Sequence, residues 1–215
     1  RSIEEAKKII ESGKFGEIIN FRGVYGKSKI IPFTGEWRSK RRESGGGILL
    51  DQGIHMLDMI LYFSNEFNQV HSFISNNFWH HDVEDNAYII MKDKKGRVAM
   101  LHSTATEWRH KFRLEIILEK AQLELSGILS GSKSYGEEKL IITKRNMGNI
   151  NTKLIEKSHK YTIDRSWKKE IDEFAEHIIN DKPIINGNSK DALCVMKLIY
   201  MIYKSDKGWK KKFNL

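Results

Sequence analysis

The chain has 215 residues, enough for one large domain or two small ones and for a substantial buried core. Hydrophobic residues make up 40% and charged residues 30%, the balance of a soluble globular protein, and no apolar run is long enough to cross a bilayer. The net charge of +9 is spread along the chain, densest at 38–42 and 207–212, so it reads as a lysine-rich solvated surface and not as a nucleic-acid face.

Cys194 is the single cysteine, which rules out an internal disulfide. In the setting Ala-Leu-Cys-Val-Met it reads as a small buried hydrophobe in a reducing, cytoplasmic protein. The first residues carry acids and lack an apolar core, unlike a secretion signal.

Residues 2–12 predict a short helix, with Ile3, Ala6, Ile9 and Ile10 at helical spacing and Gly13 and Gly16 ending it. Residues 17–27 alternate and predict a strand. A long connection, 28–47, holds Pro32, Gly35, Trp37 and the basic run Lys40-Arg41-Arg42, a candidate for phosphate contact. Residues 48–63 predict a helix with an apolar stripe (Leu50, Ile54, Leu57, Leu61) beside a polar one (Asp51, His55, Asp58, Tyr62).

Strands are predicted at 69–75, 86–92, 98–106, 112–118, 122–126 and 139–144. Residues 93–97 read as a hairpin turn with Gly96 at positive φ, and Lys120-Ala121 as a tight reversal. Strands this close, with no helix between them, indicate an antiparallel sheet. Two helices close the chain. Trp167, Ile171, Phe174 and Ile178 mark the first, with Ser166 as its N-cap. Asn188 or Ser189 caps the second, whose buried side is Leu193, Met196, Ile199, Tyr200 and Tyr203. The fold class is α+β: one domain over 1–215, a large, mainly antiparallel open sheet with helices on one face.

Residues 44–58 carry the chemistry. A glycine triplet runs straight into a helix, and Asp51 and His55, four apart, fall on one helical face. A carboxylate beside an imidazole can tune it for proton transfer, and glycines leave backbone that a ligand can approach closely. Other signals are weaker. There is no Gly-x-Gly-x-x-Gly after a strand, and Gly127–Ser134 misses phosphate-loop spacing and reads as a connection between strands. His80-His81-Asp82-Val83-Glu84-Asp85 reads as an exposed loop leading into a strand in preference to a metal site. Glu107-Trp108-Arg109-His110 reads as a turn between strands.

Trp37-Arg38 followed by Gly45-Gly46-Gly47-x-x-x-Asp51-x-Gly53-x-His55-x-x-Asp58 resembles the C-terminal domain of the glucose–fructose oxidoreductase / inositol dehydrogenase / rhizopine-catabolism (Gfo/Idh/MocA) family. Glu11-Ser-Gly-Lys-Phe-Gly-Glu-Ile, Asp82-Val-Glu-Asp-Asn-Ala, and Phe174, Pro183, Gly187, Asp191-Ala192-Leu193 and Tyr203-x-Ser205 agree in order. The resemblance implies the C-terminal fold seen in glyceraldehyde-3-phosphate dehydrogenase. It also implies an NAD- or NADP-dependent oxidoreductase acting on a sugar, sugar-nucleotide or cyclitol. The family's N-terminal Rossmann domain, with its catalytic lysine, is not in these residues, so the expectation is that the chain alone is inactive and binds NAD poorly. His55 would be the acid/base, Asp51 would hold substrate and support His55, and Asp58 would orient it. Trp37, Arg38, Tyr25, Gly46 and Gly53 would meet substrate, and alternation puts Arg22 on the opposite face of its strand from Tyr25. No metal and no membrane or nucleic-acid partner is implied, and a homodimer or homotetramer through the sheet face is expected. The resemblance leaves two alternatives, an NAD-dependent glycoside hydrolase and a non-enzymatic dinucleotide-binding sensor.

Overall fold

The computed structural model describes residues 1–30, 37–64, 66–129, 134–145 and 153–215. Helix α1 (Ser2–Glu11) leads into strand β1 (Ile18–Ser28). A one-turn helix α2 (Arg41–Ser44) ends at Gly45, which takes a left-handed conformation. A π-helical turn, Leu49–Gly53, then opens helix α3 (Ile54–Phe63). Strands β2 (Phe67–Ser75), β3 (Asn86–Asp93), β4 (Val98–Glu107), β5 (Lys111–Leu118), β6 (Ala121–Ser126), β7 (Glu138–Lys144) and β8 (Ile155–Tyr161) follow. Helices α4 (Ser166–Ile179), α5 (Ser189–Ser205) and α6 (Lys207–Phe213) close the chain.

The strands form one sheet in the order β2-β3-β4-β1-β5-β6-β7-β8. All neighbours are antiparallel except β1 and β4, which run parallel in the middle. Alternation explains the layering. Ala87, Ile89 and Met91 of β3 face the core while Tyr88, Ile90 and Lys92 face out. On the core side lie Met56, Leu57 and Ile60 of α3 and Leu198, Ile199 and Ile202 of α5, packed with Phe21, Leu101, Leu114 and Ile116 of the sheet. Burying each such side chain contributes about 1.5–3 kcal/mol relative to leaving it in water. The outer face keeps Phe73, Tyr88, Ile90 and Met100 exposed.

Several expectations need correction. Strand β8 had no predicted counterpart, because its charged, exposed sequence shows no apolar alternation. In α3 only Leu57 of the predicted stripe is fully buried. The buried line is Met56, Leu57, Ile60 and Phe63, with Leu50, Ile54 and Leu61 on its flank. In α5 the buried face is Val195, Leu198, Ile199, Ile202 and Tyr203, while Leu193, Met196 and Tyr200 are exposed. Helix α4 leaves Trp167, Ile171, Phe174 and Ile178 more than half exposed. Its start is capped from Asp164, whose carboxylate accepts from the Ser166 amide at 2.8 Å, and not by Ser166 itself. Asn188 does cap α5, in a reciprocal pair with Asp191. Gly96 has the positive φ its turn demands, 86°. Pro32 and Gly35 of the long connection, and the lysine of the phosphate-loop-like stretch, lie outside the described residues.

Candidate active site

The Gly45–Gly47 turn is wedged between two buried groups. Tyr203 Oη fills the space beside Gly46, where a Cβ would come within 2.2 Å of it. The Glu84 carbonyl lies where a Cβ on Gly47 would sit, 2.1 Å away. At Gly53 a Cβ would meet Ser103 Oγ of β4 at 2.8 Å, and that hydroxyl donates to the Ile48 carbonyl at 3.0 Å. Gly46 and Gly53 were expected to make room for substrate. Both are buried, and their missing side chains instead let the turn press against Tyr203 and β4.

Asp51 lies in the π-turn and His55 in the first turn of α3. No hydrogen bond or ion pair joins Asp51 to His55. Asp51 Oδ1 faces Arg38 Nε at 3.6 Å, and Gln52 Nε2 donates to Asp51 Oδ2 at 3.4 Å. The Arg38 guanidinium lies 4.2 Å over the half-exposed Trp37 ring. Arg38 thus links the Trp37 ring to Asp51.

Tyr25 connects the two halves of the motif. It is buried on the core side of β1, its ring 6.3 Å from the His55 ring and 5.5 Å from that of Tyr135. Arg22, on the other face of β1, pairs with Glu115 at 2.8 Å, as alternation requires. Burial, followed by the Asp51 charge, raises the pKa of the Tyr25 hydroxyl, against a hydrogen bond with Tyr135 that lowers it. Burial, Tyr25 and Asp51 together push Tyr135 well above an ordinary tyrosine. Both hydroxyls therefore stay protonated and serve as donors. Tyr135 Oη donates to Gln52 Oε1 at 3.2 Å, and its ring lies 4.7 Å from His110. Sequence reasoning missed Tyr135 and Gln52. The sequence around Tyr135 has no periodicity to single it out, whereas Gln52 lay inside the motif.

His55 is exposed, and with Asp58 it lines an open cavity of about 1150 Å³. Met59, Tyr62, Glu66 and Asp191 line it too. Burial, and then the neighbouring Asp191 carboxylate, raise the Asp58 pKa, with His55 opposing. Asp58 therefore shares the cavity wall with His55, while Asp51 stands with the tyrosines away from it. Cys194, expected to be buried, is half-buried on the same wall, its thiol 3.7 Å from Glu66 Oε1.

The 80–85 cluster splits in two. His80 and Asp82 are exposed, but Val83, Glu84 and Asp85 are buried. Asp85 Oδ2 accepts from the Phe78 and Trp79 amides, at 2.8 and 3.0 Å. Among the described residues no group of three or more His, Cys, Asp or Glu could hold a metal ion. Among the same residues no helix is long and apolar enough to cross a membrane.

Comparison with known proteins agrees with this fold. Levoglucosan dehydrogenase of Pseudarthrobacter phenanthrenivorans is 36% identical over 74 residues, 33% of this chain and 18% of that protein. The solved structure of a levoglucosan dehydrogenase with NADH and levoglucosan superposes with a TM-score of 0.76 at 20% identity, over 97% of this chain and 61% of its own. Aldose–aldose oxidoreductase from Caulobacter crescentus gives 0.74 at 21% identity, over 96% and 58%. The chain therefore spans about three fifths of the length of these structures. The GFO/IDH/MocA C-terminal domain matches residues 3–124, more than half of the chain, and the protein belongs to that family.

Proposed function

We propose that this chain is the substrate half of an NAD(P)-dependent dehydrogenase acting on a hydroxyl carbon of a sugar, sugar-nucleotide or cyclitol. The observation that carries this reading is an exposed imidazole, His55, on the wall of an open cavity and beside a buried tyrosine. A ring nitrogen of His55 takes the proton from the substrate hydroxyl as the C–H bond breaks and the C=O bond forms. When bound, the nicotinamide accepts the hydride from that carbon. Asp58, which shares the cavity wall with His55, offers an acceptor for a neighbouring sugar hydroxyl. Asp51, steadied by Arg38 and Gln52, stands with Trp37 outside that wall and meets the far end of a substrate that reaches beyond the cavity.

The residues present fit the reacting end of a dinucleotide and not its phosphates. The cavity is large enough for a nicotinamide ring and a sugar, but among the described residues no glycine-rich turn runs from a strand into a helix's first amides to take a pyrophosphate. That part belongs to a dinucleotide-binding half outside these residues, and the chain alone is inactive. The exposed apolar side of the sheet supports a homodimer or homotetramer paired there, and the lone free thiol fits a cytoplasmic enzyme.

Offering levoglucosan, aldoses, UDP-N-acetylglucosamine and inositol with NAD⁺ or NADP⁺ to the full-length protein tests the reading. Net formation of reduced cofactor with one of these classes is expected. Dinucleotide binding without reduction on any sugar or cyclitol overturns it.

A further inference from the structure

We propose that Glu84 is a positioning residue, whose buried side chain holds the turn from which Asp51 and His55 are presented. The inference rests on the roles proposed above for those two residues. Glu84 is fully buried two residues before β3, and its Oε1 alone gathers three donors. They are the Gly47 amide at 2.9 Å, the Leu49 amide at 3.0 Å and Tyr203 Oη at 2.8 Å. Its backbone carbonyl accepts from the Ile48 amide at 3.0 Å. Three consecutive amides at the mouth of the π-turn therefore end on one residue. The next link reaches the site, because the Gly47 carbonyl accepts from the Asp51 amide at 2.9 Å. Moving Glu84 moves Gly47, and moving Gly47 moves Asp51.

The pattern on the carboxyl group is informative. Oε2 is buried and has no hydrogen-bond partner, while Oε1 is saturated. Oε1 alone therefore carries the cradle, and a side chain that keeps one carbonyl oxygen there keeps all three bonds. Burial raises the Glu84 pKa, and the hydrogen bonds from Tyr203, Gly47 and Leu49 oppose it. Tyr203, itself pushed well above an ordinary tyrosine by burial and by Glu84, stays a donor. Behind it the Arg41 guanidinium lies 4.0 Å over Phe213 and 5.6 Å over Tyr203, so α2, α5 and α6 close the back of the cradle. A neutral amide should serve as well as the acid, and an apolar chain of the same length should not.

Amide hydrogen exchange at Gly47, Leu49 and Asp51, with the ring resonances of His55, tests this on the 215-residue chain without any substrate. Glu84→Gln keeps the triple acceptor, so exchange should stay within about threefold of the parent. Glu84→Met strands three donors, so exchange at those amides should rise roughly tenfold or more while β5 and β6 stay protected, and the His55 resonances should move. Tyr203→Phe removes one donor and should show a smaller change in the same direction, and it decides the test if Glu84→Met does not fold. A Gln variant as disruptive as Met overturns the proposal, as do unchanged turn amides and His55 resonances in Met and Phe variants that fold. Exchange reports the turn whatever the enzyme turns over, so this outcome is separable from that of the sugar screen.

Discussion

Helices α3 and α4 both carry large apolar residues at helical spacing, and they end in opposite states. Met56, Leu57 and Ile60 of α3 are wholly buried, fitted so closely to the sheet that a Cβ on Gly23 of β1 would meet Met56 Cγ at 3.0 Å. In α4 only His177 is buried, and the helix is tied to α1 by an exposed ion pair, Lys169–Glu4 at 2.6 Å. Spacing reveals which residues share a face. Whether anything covers that face depends on the rest of the fold. The proposed catalytic groups stand on the helix whose apolar face is covered, which gives His55 a rigid base.

The comparison sets the largest expected effects. Ile60→Ala should cost about 2–5 kcal/mol in urea unfolding, because it empties part of a closed core. Ile171→Ala, on α4 of the same 215-residue chain, should change stability by less than about 0.5 kcal/mol. Equal losses at the two positions would mean that α4 is packed as tightly as α3.

The glycine turn below α3 offers a sharper probe. Gly46→Ala should cost about 1–3 kcal/mol, because the new methyl meets Tyr203 Oη. Combined with Tyr203→Phe, which removes that oxygen, the two losses should fall short of additive. Strict additivity would show that the collision is relieved elsewhere.

The smallest effect is on the pH dependence. Burial lowers the His102 pKa, with Lys111 assisting and Glu107 opposing, and burial and Lys27 lower that of His110. The unfolded chain takes up these protons at higher pH than the folded one, so stability should decline as pH falls below about 6.5. Thermal melts of His102→Gln should show a shallower decline over that range, and an unchanged slope would remove His102 as a contributor.

These contrasts also show what the sequence made legible. Strand β3 and the first half of β4 could be read because one buried face imposes alternation, and Gly96 marked the turn between them because it needs a positive φ. The cap of α5 was readable because Asn188 and Asp191 act within one turn. The motif residues stood out as chemical types at set spacing. That Asp51 pairs with Arg38 and not with His55 was hidden, because Arg38 comes from a separate segment. Tyr135 and Glu84 reach the site from distant segments through contacts that only the folded sheet creates.

The proposed proton transfer is tested most directly by turnover of His55→Ala in the full-length enzyme with saturating cofactor and a sugar that the parent oxidises. The account predicts a fall of about 10²–10⁴-fold with the dinucleotide Kd unchanged. Turnover equal to that of the parent would contradict it.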